Sequence, residues 1–230
     1  MRAANLPAYC AEIDRLRDAH RGQLRVHRAL EFDYIPERHA ALWSVVAAVP
    51  FDYMIGSVHF VGEDQDGAPW AYDVTREGFE HGLRQLYGGD IRRLVGAYYE
   101  RVRGLAAWGQ VAIMGHLDRI KKGNRDEHYF KEDESWYRRE VEATLQACAR
   151  AGLIVELNTV GWRNEVGRPY PSPWILRRCL DLGMPLVVTA DAHLPRRVVD
   201  FHAEALTTLR EVGCKAVAVL RDRGWTMEPL

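Results

Sequence analysis

Six residues stand where chemistry would be expected of them. Glu31 lies in RALEFDY, His59 in GSVHF, His116 in GHLD, Glu156 in ELN, and Asp191 and His193 in TADAH. Each sits at or just beyond a short apolar run. Taken singly, a histidine after a strand reads as a hydrogen-bonded side chain, and an acid there reads as a cap for the next helix. Their recurrence at five successive runs points instead to one polar centre. Imidazole and carboxylate together suit Zn, Mn or Fe, and a carboxylate can bridge two such ions. Two cationic groups follow these positions. Arg119, Lys121 and Lys122 come after His116, and Arg163 comes after Glu156. On loops above a metal cluster they would hold a phosphate, arginine by a bidentate pair and lysine as a point charge. Arg168 and the Pro169-Tyr170-Pro171 turn would shape the pocket wall.

The elements that must position these residues are an alternation of apolar runs and amphipathic segments. The runs are 24–32, 53–60, 111–115, 153–157, 185–190 and 215–220, rich in Val, Ile, Leu or Ala and of the length of buried strands. Helical patterns cover 36–49, 90–108, 134–150 and 172–182, and the first twenty residues read as a helix almost from their start. In the second helix Leu94, Tyr98, Val102 and Leu105 form one stripe, while Gly152 and Gly183 stop the last two. Strand then helix, repeated, predicts an α/β fold of parallel strands with right-handed crossovers. The carboxyl ends of such strands open onto one face, which is how residues so far apart in sequence converge. The segment 62–89, rich in Gly and Asp, is expected to hold the main active-site loop.

Composition limits the alternatives. The chain has 230 residues, 31 Lys+Arg against 32 Asp+Glu, and a formal charge of -1. It is 47% hydrophobic and 27% charged, which fits one globular domain spanning 1–230. The even charge gives no electrostatic footprint for nucleic acid or an anionic membrane surface, and no apolar run approaches the ~20 residues of a membrane span. Cys10, Cys148, Cys179 and Cys214 are widely spaced with no C-x-x-C pair, as expected of buried thiols in a cytoplasmic protein.

With these residues in view the chain resembles the PHP (polymerase and histidinol phosphatase) family, in its histidinol-phosphatase branch. The resemblance runs from about residue 9 to residue 221 and is carried by ALEFDY, FDYMIGSVHFV, MGHLDRIKK, ELNTVGWR and TADAHLP, in that order. It implies a distorted (β/α)7 TIM-like barrel and a centre of up to three divalent ions that hydrolyses a small phosphomonoester. L-histidinol phosphate, in histidine biosynthesis, is the expected substrate. Residue by residue, Glu31 matches the bridging carboxylate, and His59 and His116 match the imidazoles of the second ion. Asp191 matches a ligand of the first ion and His193 a ligand of the third. Arg163 matches a phosphate contact, and Asp191 and His193 are candidates for the acid that protonates the leaving alkoxide. Nothing in the sequence corresponds to the family's opening His-x-His strand, so the barrel is expected to be incomplete, with its first two strands missing and fewer ions held. An open barrel of that kind would expose sheet edges, and predicts a homodimer over the gap or a rearranged N-terminal segment.

Overall fold

The computed structural model describes residues 3–164, 166–222 and 224–230. Its centre is a five-stranded, all-parallel sheet. In chain order the strands are β1 (Ala29–Asp33), β2 (Tyr53–Ser57), a two-stranded hairpin β3 (Phe60–Glu63) and β4 (Pro69–Ala71), then β5 (Ile113–Met114), β6 (Ile154–Asn158) and β7 (Leu186–Thr189). A second hairpin, β8 (Ala216–Arg221) and β9 (Gly224–Pro229), closes the chain. The helices are α1 (Leu6–Ala19), α2 (His39–Val46), α3 (Arg76–Tyr87), α4 (Ile91–Trp108), α5 (Ser135–Arg150), the short α6 (Val160–Arg163), α7 (Pro173–Asp181) and α8 (His202–Glu211). The parallel sheet runs β1-β2-β5-β6-β7, so each strand pairs with the next one that the alternation of strands and helices predicts.

Strand periodicity divides the burial. Met114, Val155, Leu157 and Leu186 face the main core, where they meet α4, α5 and α7. Ile113, Ile154 and Val187, one residue out of phase, face the opposite side with Ala218, Tyr53, Ile55 and Trp225. Glu156 and Asn158 lie on this second face, because they share the parity of Ile154. Outside the sheet, α4 is held at its start by Asp90, whose carboxylate accepts the N–H of Arg92 and Arg93. Its buried stripe includes all four residues expected from the sequence, joined by Val95, Tyr99 and Ala106. Burying each large apolar side chain of that stripe contributes about 1.5–3 kcal/mol.

Four elements differ from the sequence reading. The run 24–32 enters the sheet only at Ala29. The second helix of the chain is shorter than 36–49, because Pro36 sits in the turn that precedes it. The segment 62–89 is not a plain loop: it carries the β3–β4 hairpin and then α3, capped by Thr75, whose hydroxyl accepts the N–H of Gly78 at 3.0 Å. The last run, 215–220, forms an antiparallel hairpin instead of another parallel strand: β9 pairs back along it, from Gly224 opposite Arg221 to Pro229 opposite Ala216. Among the described residues no strand pairs with the outer edge of β1. The start of that strand is tied instead to α1, where the Tyr9 hydroxyl donates to the Ala29 carbonyl at 2.5 Å.

Candidate metal centre

Three ligand-type atoms converge at the carboxyl ends of β1, β2 and β5. One atom each of Glu31, His59 and His116 lies within 4.8 Å of the others. The Nε2 atoms of the two imidazoles are 3.1 Å apart, and Glu31 Oε1 is 3.2 Å from that of His116 and 3.8 Å from that of His59. Register explains the meeting. Glu31 stands opposite Ile55 and Asp33 opposite Ser57, so a residue two past Ser57 rises beside both acids. β5 joins the other side of β2, with Gly56 opposite Met114, and His116 follows two residues on. The approach is close enough to require glycine at 115. A Cβ there would lie 2.5 Å from Ser57 Oγ and 2.9 Å from Ile55, and Ser57 Oγ is needed to donate to Glu31 Oε1 at 2.6 Å.

The charges around this triad are set by its partners. Partial enclosure opposes ionisation of Glu31, but hydrogen bonds and charge from His116, with Ser57 and His59, bring it down to about 2. Burial would push His59 down, yet the hydrogen bond and charge of Asp33 lift it above the usual imidazole value. His116 is buried, and its backbone N–H donates to Glu156 Oε2 at 2.6 Å. Glu156 takes a second hydrogen bond from the Thr189 hydroxyl at 2.6 Å, and its enclosure raises its pKa. Two imidazoles and a carboxylate aimed at one point are a donor set that fits a Zn, Mn or Fe ion.

Arg119 extends the site toward a second group of charges. Its Nε donates to Asp73 Oδ2 at 2.6 Å, and its Nη1 lies 3.7 Å from Asp191 Oδ2. That Nη1 is buried and has no hydrogen-bond partner among the described residues. Burial works against the charge on Arg119, and the Asp73 carboxylate more than offsets it. Asp191 is turned inward by a left-handed backbone, φ 45°, and reaches the Asn158 amide at 3.4 Å. Asn158 in turn contacts Glu156 at 3.2 Å, so Asp191 is linked to the triad through side chains of β6. Beyond Asp73 opens a cavity of about 410 Å³ lined by Tyr72, Arg76, Lys122, Tyr129 and Arg163, among others. Arg163 is anchored there by Asp200 at 2.6 Å. Lys122 donates to the Asp73 carbonyl.

Two residues singled out in the sequence lie elsewhere. Lys121 does not reach the site. Its ammonium is buried and donates to Asp118 Oδ2 at 2.7 Å, the Pro169 carbonyl at 2.8 Å and Ser172 Oγ at 2.7 Å. An ammonium has three N–H groups, and all three are used inside the protein. The cause is the 3-10 turn Arg119–Gly123, which points residue 119 outward to the site and residue 121 into the core. His193 is also apart: its side chain is 83% exposed and its ring contacts the carbonyl and carboxylate of Asp191, not the triad. The Pro169-Tyr170-Pro171 turn does shape the site wall. Tyr170 bridges Asn158 through backbone hydrogen bonds of 2.7 and 3.1 Å, and its ring lies under the Arg119 guanidinium at 5.9 Å.

Three polar partners escaped the sequence reading. Asp33 holds His59, Ser57 holds Glu31, and Asp73 holds Arg119. Asp33 carried a signal, since it lies two residues from Glu31 on the same face of β1, and Ser57 a weaker one, as the last residue of β2 two before His59. Asp73 carried none, as it reaches Arg119 from the turn between β4 and α3.

A family model described as PHP domain matches residues 2–160. A probable histidinol-phosphatase of Deinococcus radiodurans is 34% identical over 218 residues, covering 94% of this chain and 76% of that protein. A putative histidinol phosphatase from Listeria monocytogenes has the same fold, with TM-score 0.76 and 21% identity over 87% of this chain and 76% of that one. So does the histidinol phosphate phosphatase from Lactococcus lactis subsp. lactis, complexed with Zn, L-histidinol and phosphate, with TM-score 0.68 and 19% identity over 96% of this chain and 80% of that one. Those neighbours give the parallel sheet its architectural class, an α/β fold of the distorted TIM-barrel type. With the family model spanning β1 to β6 and the triad at the strand ends where the sequence motifs put it, the chain belongs to the PHP family.

Proposed function

We propose that this chain is a metal-dependent phosphomonoesterase, with L-histidinol phosphate as its substrate. The observation that carries the reading is the Glu31–His59–His116 triad beside an arginine with a buried, unbonded N–H. The names of the relatives and the Zn, L-histidinol and phosphate of the Lactococcus lactis structure support the substrate and the metal class. In this reading Glu31, His59 and His116 would hold one ion and Asp191 would contribute to a further one. A divalent ion there would supply Lewis-acid charge and lower the pKa of a water toward neutrality. Arg119 and Arg163 bind the phosphoryl oxygens and spread the charge that develops on them. Water oxygen bonds to phosphorus as the ester P–O bond breaks, and the proton lost by water reaches the leaving alkoxide through Asp191. The cavity lined by Tyr72 and Tyr129 leaves room for the alcohol portion.

The test is phosphate release by the full chain loaded with Mn²⁺, Zn²⁺ or Fe²⁺, against L-histidinol phosphate and a panel of nucleotide, sugar and amino-alcohol phosphates. Preferred turnover of L-histidinol phosphate is expected. Equal rates across the panel would leave a phosphomonoesterase of another substrate. One observation favours a second reading: His193 stands apart from the triad, as in a remnant that binds a single ion and no longer turns over. One ion per chain by elemental analysis, with no turnover of any ester, would select it.

The remaining readings complete the picture. We take residues 1–230 as one phosphoesterase domain. All four cysteines are free thiols, three of them buried, which suits a reducing cytoplasm. Among the described residues no helix is long and apolar enough to cross a membrane. The outer edge of β1, with which no strand among the described residues pairs, and the exposed Leu42 and Val45 of α2 suit a homodimer. Light scattering at micromolar concentration checks it, and a mass of one chain would reject it.

A further inference from the structure

We propose that Asp33 is a positioning residue for the metal centre: it takes the Nδ1 hydrogen of His59 into a hydrogen bond and so holds the ring with its Nε2 lone pair facing Glu31 and His116. The inference rests on the reading that this triad binds a divalent ion. Neutral imidazole carries its hydrogen on one nitrogen only, so a partner that accepts from Nδ1 leaves Nε2 as the donor atom. Asp33 Oδ1 lies 2.5 Å from His59 Nδ1, on the far side of the ring from the triad. Glu31 and Asp33 are two residues apart on β1 and therefore project from the same face. That one strand supplies both a candidate ligand and the group that orients a neighbouring ligand. The β1–β2 register fixes the second role, because Asp33 is paired with Ser57 and His59 follows two residues later.

The two histidines are held by different means, which is why Asp33 matters to one of them. His116 is almost wholly buried at 1% exposure, its backbone is fixed by Glu156, and its Nδ1 has no partner among the described residues. Packing sets that ring. His59 lies beyond the end of β2 with 19% of its side chain exposed, and its ring has Asp33 as the hydrogen-bond partner of Nδ1. Without the carboxylate, the His59 ring can turn about its side-chain torsions and present either nitrogen. The ordering energy would then be drawn from metal binding, which appears as lost affinity.

The experiment compares the full chain with Asp33→Ala, Asp33→Asn, Asp33→Glu and, as a benchmark, His59→Ala. Each is stripped with chelator and titrated with Zn²⁺ against a chromophoric competitor, and the Co²⁺ absorption spectrum of each is recorded. Asp33→Ala is expected to weaken Zn²⁺ binding by about 10–100-fold, the usual effect of losing such an outer partner. Asp33→Asn should fall between it and the parent, since the amide oxygen still accepts but carries no charge. Asp33→Glu should recover part of the loss, and the Co²⁺ band should shift in the alanine variant. Circular dichroism of the stripped proteins guards against misfolding, and if the alanine variant does not fold, the asparagine variant gives the same reading. Parent-like affinity and Co²⁺ spectrum in both neutral variants, with His59→Ala weakened, would overturn the role of Asp33 while leaving the metal reading intact. A parent chain that binds no Zn²⁺ would overturn both.

Discussion

Replacing Lys121 by methionine separates the two roles that a lysine in GHLDRIKK can have. The structure gives its ammonium three acceptors, at 2.7, 2.8 and 2.7 Å, and 2% exposure. Its partner Asp118 is wholly buried. Burial pushes the Lys121 pKa down and that of Asp118 up, so each charge persists through the other. Removing one member of such a pair leaves a bare charge in the interior and costs about 3–5 kcal/mol. For a chain of this size each kcal/mol moves Tm by about 2–4 °C, so a fall of roughly 6–20 °C is expected. Thermal unfolding by circular dichroism reads it directly. The double variant Lys121→Met with Asp118→Asn should regain a good part of the loss, because the asparagine oxygen can still accept from the Ser172 N–H, now at 2.9 Å from Asp118. The ester assay, run well below the lowered Tm, should show KM within about twofold of the parent, an order-of-magnitude bound for a side chain with no N–H left for substrate. A Tm shift under about 2 °C, smaller than one kcal/mol predicts, together with a raised KM would refute the argument and return Lys121 to the phosphate.

Three further outcomes are expected. Arg119→Ala should lower kcat/KM by about 10²-fold or more, and Arg119→Lys should not restore it, because a point charge cannot serve Asp73 and a phosphoryl oxygen together; steady-state kinetics checks both. Chelator treatment of the full chain should abolish turnover, and one of Mn²⁺, Zn²⁺ or Fe²⁺ should restore it, whereas turnover that survives chelation would exclude the metal reading. The hydrogen bonds of Arg178 on α7 hold Glu142 on α5 down to about 2 from an ordinary 4.5. A depressed carboxylate contributes stability above its unfolded pKa and loses it as pH falls through the folded value, so the loss falls between about pH 4.5 and 2. The pair is partly solvated, and a contribution of about 0.5–1 kcal/mol is appropriate. Glu142→Gln should flatten that part of the curve of Tm against pH.

The parts legible in the sequence were those set by periodicity along one element. The five parallel strands appear where apolar runs predict them, and Glu31, His59 and His116 meet because they lie near the carboxyl ends of three neighbouring strands, Glu31 within β1 and each histidine two residues past its strand. What the runs could not convey was orientation within irregular backbone. Arg119 and Lys121 are two residues apart in one 3-10 turn, and one faces Asp73 while the other faces Asp118. No two-residue or four-residue period assigns those directions. His193 shows the same limit, since the left-handed Asp191 turns the chain before it and leaves the next histidine in solvent. The β8–β9 hairpin was hidden for another reason. An apolar run of six residues has the same composition whether its partner is parallel or antiparallel, and here the partner is the segment that follows it in the chain, β9.

The two halves of the candidate site therefore rest on different mechanical footings. The triad grows from consecutive strands of one hydrogen-bonded sheet, so its spacing follows from register, and a one-residue slip would send Glu31 and Asp33 to the opposite face together. The cations come from a 3-10 turn and from the short α6, and they are held by side-chain pairs with Asp73 and Asp200. Those pairs are also what a phosphate must compete with or share. Arg163 has one carboxylate on its Nη2, and Arg119 already has Asp73 on Nε and keeps Nη1 unbonded. A dianion can be added at Nη1 without breaking the Asp73 contact. Arg119 is also the more enclosed of the two, with 13% of its side chain exposed against 22% for Arg163, and its Nη1 lies 3.7 Å from Asp191, so it is the cation nearer the reacting centre, whereas Arg163 stands on the cavity wall. The larger loss of transition-state binding should thus follow substitution of Arg119, and the larger rise in KM alone should follow substitution of Arg163. Equal effects of the two substitutions on kcat would refute this division of labour.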